Sequence, residues 1–166
     1  MSIPFAAVGA VLAALIETSV LPQLAVAGIR PDLVFVLAIV ATMTIGVEDG
    51  LTWAFLGGIM LDLLVPERRL GMTALLLLIL AGIAIAMARL LPGRRVAVVG
   101  AAVFVLSICY QVLVIESLAA FTGTTSTLEA GSIVPTAVLD LIIGLLAAAA
   151  GRWLWLRFGQ QDRIEW

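Results

Sequence analysis

The chain has 166 residues, 63% of them hydrophobic and only 12% charged, with a formal net charge of −2 and a mean hydropathy of +1.23. Soluble domains sit at about 45–50% apolar and about 25% charged, so one aqueous core cannot bury this much apolar side chain; the composition is that of an integral membrane protein. The absence of histidine and lysine and the single cysteine, Cys109, exclude disulfides, Cys/His metal sites and Cys–His or Ser–His nucleophilic pairs, and no basic stripe points to nucleic acid.

The first predicted span is 4–20, ending near Pro22 and carrying Glu17 toward its far end. Ala25-Val26-Ala27 looks like a signal cleavage site, but Met1-Ser2-Ile3-Pro4-Phe5 carries no basic residue, so the segment reads as a retained helix. Ala6, Ala10 and Ala14 recur every fourth residue and make a smooth face. Such a face suits internal helix packing, or the docking of a partner's transmembrane helix. Leu21 to Pro31 is an apolar linker suited to the membrane interface. The second and third spans, 33–47 and 50–65, are joined by a tight Glu48-Asp49-Gly50 turn. Both fall short of the roughly 20 residues that cross a bilayer, which implies snorkelling ends, local thinning or shielding in a bundle.

The fourth span, 70–91, ends at Pro92-Gly93-Arg94-Arg95. The fifth, 96–121, carries Tyr110, Gln111 and Glu116, with Tyr110 and Gln111 placed for interhelical hydrogen bonds. A hydroxyl- and Gly-rich loop, Thr122 to Ser132, leads to the sixth span, 133–155, which contains Asp140. Small-residue steps also occur at Gly46/Gly50/Ala54/Gly58, Gly82/Ala86 and Gly144/Ala148, as expected of packed helices. Span lengths and the lack of polar/apolar alternation exclude a β-barrel. The expected fold is all-α: one polytopic membrane domain over 1–166, a single bundle of about six transmembrane helices.

Arginine placement sets the orientation. With the N-terminus cytoplasmic, the inner side holds Arg89, Arg94, Arg95, Arg152, Arg157 and Arg163, and the outer side holds Arg30, Arg68 and Arg69. Both termini are therefore expected inside, with Trp53, Trp153 and Trp155 at the inner interface. Glu17, Asp62, Glu116 and Asp140 then all fall within roughly 12 Å of the outer boundary, at ~1.5 Å per residue. A carboxylate in the membrane is costly, about 2.5–3.5 kcal/mol at the bilayer centre on insertion scales. The bland reading of this layer is snorkelling or pairing with Arg30, Arg68 and Arg69. The functional reading is an outward-open polar cavity or a partner groove. No acidic residue continues through the inner half, which disfavours a proton relay, and no nucleophile or substrate site appears.

Several motifs occur in order: Thr18-Ser19-Val20-Leu21-Pro22, then Arg30-Pro31-Asp32-Leu33, then Gly50, then Phe55-Leu56-Gly57-Gly58-Ile59-Met60-Leu61-Asp62, then Leu70-Gly71-Met72-Thr73-Ala74-Leu75. This ordered set resembles the rod shape-determining protein MreD family. The resemblance runs from residue 17 to about 90, with Pro31, Asp32, Gly50, Gly58, Asp62 and Gly71 as its motif positions. Glu17 departs from it, where an uncharged polar residue is expected, as does the charged Glu67-Arg68-Arg69 turn. The resemblance implies a multi-pass protein of the bacterial inner (cytoplasmic) membrane with no catalytic residues, cofactor or metal. It implies a scaffold that binds the bitopic protein MreC and acts beside MreB filaments, a SEDS glycosyltransferase and a class B penicillin-binding protein in directing peptidoglycan synthesis. The family fold is similar to the S components of energy-coupling-factor vitamin transporters, which makes an S component the alternative reading. A structural membrane protein unrelated to either is the third.

Overall fold

Every backbone N–H and C=O inside a hydrocarbon layer needs an internal partner, and an apolar chain meets that demand by forming helices. The computed structural model describes residues 3–24, 29–65, 69–90, 96–122 and 131–158. Its helices are α1 (Ile3–Ser19), α2 (Leu21–Leu24), α3 (Leu33–Thr44), α4 (Val47–Leu64), α5 (Met72–Leu90), α6 (Val96–Thr122) and α7 (Ile133–Phe158). Apart from the single turn of α2, these are the six expected spans in the expected order. Four segments are long and apolar enough to cross a membrane: Pro4–Gln23, Met72–Leu90, Val96–Ser117 and Ile133–Trp153.

Two local expectations need correction. Glu48-Asp49-Gly50 is not a turn; it lies in the first turn of α4, where the two acidic side chains complement the unpaired N–H groups of a helix start. The break lies earlier, at Ile45 and Gly46. The linker after α1 begins as helix, since Leu21–Leu24 forms α2, and residues 25–28 lie outside the described residues.

The shortest long helix, α3, forms the centre. It packs against α1, α4, α5, α6 and α7, and every residue from Val34 to Met43 except Leu37 is buried. Its Phe35 ring stacks on Tyr110 of α6 with centroids 5.1 Å apart and planes 8° from parallel. Helices α4 and α5 approach closely at Gly58, where an added Cβ would lie 2.7 Å from the Ala74 backbone nitrogen. On the other side, α1 packs chiefly against α4.

That packing decides the alanine face. Ala6, Ala10 and Ala14 are each 0% exposed, and Ala10 lies beside Gly57 of α4. The expectation that this face docks a partner's helix is therefore corrected: smoothness brings α1 close to its own neighbours, and no surface remains there. What α1 turns outward is Phe5, Val8, Leu12 and Ile16, bulky apolar side chains suited to lipid.

Candidate functional site

The first N–H groups of any helix lack an intrahelical acceptor. For α3 this is acute. At ~1.5 Å per residue its twelve residues reach about 18 Å, against a hydrocarbon core of about 30 Å. An end that falls inside an apolar layer cannot draw on water, and each unpaired N–H there is costly. The N-cap residue, Asp32, makes no side-chain cap hydrogen bond. Acceptors arrive from two other helices instead. The Val34 N–H donates to Glu17 Oε2 of α1 at 2.7 Å, and the Asp32 N–H donates to Asp140 Oδ1 of α7 at 2.9 Å.

Asp140 also ties α6 to this point. The Ser107 hydroxyl donates to its second oxygen, Oδ2, at 2.5 Å, and both residues are 0% exposed. Gln111, one turn further along α6, donates from Nε2 to Ser107 Oγ at 3.1 Å and to the Ile133 carbonyl at 3.3 Å. One polar path thus links the start of α3, the middle of α6 and the start of α7.

The start of α5 repeats the device. Its cap position is Gly71, at φ +87°, a left-handed conformation that glycine adopts without strain. Glycine has no side chain with which to cap. Asp62 of α4 supplies the oxygens, accepting from the Thr73 N–H at 3.2 Å (Oδ1) and 3.1 Å (Oδ2). Asp62 and Thr73 are each 3% exposed. A carboxylate beside a partly buried helix N-terminus is favourable by up to ~2 kcal/mol, because the N–H groups carry partial positive charge. Among the described residues no buried side-chain nitrogen or oxygen is left without a hydrogen-bond partner.

The expected layer of four acids therefore divides. Glu17, Asp62 and Asp140 each accept from the start of a neighbouring helix, at the end of the bundle where α1 and α4 finish. Glu116 is exposed on α6, and none of these bonds reaches it. Arg30 and Arg69 are exposed and Arg68 lies outside the described residues; the hydrogen bonds to Glu17, Asp62 and Asp140 come from backbone N–H groups and the Ser107 hydroxyl. The motif positions gather on α3, α4 and α5. Pro31 and Asp32 lead into α3, Gly50 and Gly58 sit where α4 meets α3 and α5, Asp62 near the end of α4 caps the start of α5, and Gly71 precedes that start.

Ser107, Thr73 and the buried Asp49 carry polar contacts that sequence reasoning did not single out. The spacing of Ser107 and Gln111, four apart on one helix, was the available signal for the first. Chemically, these carboxylates are engaged in holding helix ends. Ser107 meets a carboxylate with no imidazole or amine to accept its proton onward, so it is an anchored hydroxyl and not an activated nucleophile. Among the described residues, no group of three or more His, Cys, Asp or Glu side chains could hold a metal ion.

Comparison with known proteins adds one finding. The family model of the rod shape-determining protein MreD matches residues 2–156. No curated protein and no solved structure matches the chain.

Proposed function

The chain belongs to the rod shape-determining protein MreD family, and from that premise we propose that it is a non-enzymatic scaffold of the bacterial elongation complex. In this reading it lies in the inner membrane with both termini cytoplasmic and binds a bitopic MreC-like protein. It thereby helps MreB filaments, a SEDS glycosyltransferase and a class B penicillin-binding protein direct peptidoglycan synthesis. The observation that carries the reading is the family match over nearly the whole chain. The carboxylates of Glu17, Asp62 and Asp140 serve as caps of helix starts, which suits a chain whose task is to hold a defined shape.

A scaffold acts by differential contact: it shifts a partner toward one conformation only by binding that conformation more tightly. The rigid centre built on α3 suits this task, since a surface that holds its shape can discriminate between two states of a partner. The test is affinity purification of the tagged, full-length chain from native membranes after mild crosslinking. A single-pass partner with an extramembrane coiled coil is the expected product. Recovery of an ATPase module with a tightly held vitamin, and no such partner, would overturn the reading in favour of an S component.

A further inference from the structure

The second half of α5 carries a feature that neither the helix caps nor the scaffold reading uses. A shallow, open crevice of about 400 Å³ lies against it, lined among the described residues by Gly82, Ile85, Ala86, Arg89 and Leu90. Gly82 and Ala86, one turn apart, are both exposed and belong to that lining. A Cβ added at Gly82 would meet nothing within 4 Å, so the trough is open at that point. Ile85 and Leu90 add apolar lining. Arg89, in the last turn of the helix, is exposed and shares the lining. Among the described residues no carboxylate forms an ion pair with it.

We propose that this crevice binds one anionic phospholipid, with its phosphate on Arg89 and an acyl chain along Gly82 and Ala86. Three points favour a lipid. First, Arg89 ends a 19-residue apolar helix that is long enough to cross a bilayer, which puts its guanidinium at headgroup level. Second, from Leu90 back to Gly82 the trough runs ~12 Å at ~1.5 Å per residue. That is most of one leaflet of a ~30 Å hydrocarbon core but less than half the run of a crossing helix, so an acyl chain fits it better than a partner's helix does. Third, the cation is a planar fork that stays charged and matches phosphate oxygens bidentately. Basic pockets at membrane-helix ends are a recurrent solution for anionic headgroups. The inference does not depend on the scaffold reading, because lipid retention and partner recovery are separate measurements.

The test is native mass spectrometry of the detergent-purified full-length chain, supplied with phosphatidylglycerol or phosphatidylcholine. Wild type should retain phosphatidylglycerol about fivefold or more over phosphatidylcholine, and Arg89→Gln should abolish that preference. Arg152→Gln removes an exposed arginine of α7 outside the crevice and should leave it intact. Ala86→Leu, on an exposed position that leaves the core untouched, should fill the trough and lower retention of the bound lipid. Equal loss in Arg89→Gln and Arg152→Gln would show diffuse charge attraction and overturn the site, as would equal retention of the two lipids by wild type. If Ala86→Leu instead lowers recovery of a membrane partner and leaves phosphatidylglycerol retention unchanged, the crevice belongs to a partner helix and the proposal fails.

Discussion

Asp140 is fully buried in an apolar bundle, and its two oxygens are the acceptors for the Asp32 N–H and the Ser107 hydroxyl. Asp140→Leu removes both acceptors. Ser107 can turn its hydroxyl to a carbonyl of its own helix, whereas the Asp32 N–H loses the acceptor supplied by Asp140, a loss that costs about 1–3 kcal/mol for a buried donor left unpaired. Asp140→Asn keeps a carbonyl oxygen for that N–H. Thermal unfolding in detergent is therefore expected to rank wild type, then asparagine, then leucine; a leucine variant as stable as wild type would remove Asp140 from this role. Glu17 holds the same helix start through Val34, so Glu17→Ala and Asp140→Leu are expected to be non-additive, each variant letting the start of α3 loosen before the other acts. Strict additivity in the double variant would mean the two caps act independently. The acids themselves were legible in the sequence, since charged residues stand out in apolar spans. Their partners were not, because a backbone N–H leaves no mark in a sequence and the acceptor comes from another helix. The shortness of the second span was the clue that one helix would end inside the bundle and need capping from elsewhere.

Close approach between elements shows at two glycines that look alike in sequence. Gly58 faces the backbone of Ala74, which cannot swing aside as a flexible side chain would, whereas Gly82 faces open space. Gly58→Ala is expected to push α4 and α5 apart at a cost of about 1–3 kcal/mol, and Gly82→Ala to be neutral or to stabilise by up to ~1 kcal/mol through helix propensity. The two variants differ by the same single methyl, so opposite shifts in unfolding temperature would come from the interface alone. Matching shifts would contradict the close packing of α4 on α5. The number and rough length of the helices were legible from hydropathy. The α3–α4 boundary was not, because Glu48-Asp49-Gly50 has the composition of a turn and equally that of an acidic first helical turn. The alanine face of α1 was ambiguous in the same way. Small side chains bring helices together whether the neighbour is the chain's own or a partner's, and only burial at 0% for Ala6, Ala10 and Ala14 assigns it inward.

At the scale of the molecule, α3 is too short to cross a bilayer alone, yet it touches all the other long helices. Ile29–Asp32 leads into it and the break at Ile45–Gly46 ends it, and the caps from Glu17 and Asp140 hold its start inside the bundle. Helices α4 to α7 then alternate in direction, which puts the Asp62 end of α4 beside the starts of α5 and α7 and leaves Arg89 and Arg152 at the opposite end. In sequence, six of the nine arginines flank the helix ends on that side, and by the positive-inside bias we expect it to be cytoplasmic. The segment between α6 and α7, within Thr122–Ser132, is then expected to face outward. A single cysteine placed there reports the side, provided that the native Cys109, which is exposed, is first changed to serine. In intact cells a membrane-impermeant maleimide is expected to label the new cysteine, while one placed after Arg157 should react only once the membrane is opened. The reverse pattern would invert the bundle. It would carry the capped carboxylates to the cytoplasmic side and the Arg89 crevice to the outer leaflet, leaving every internal hydrogen bond as it is.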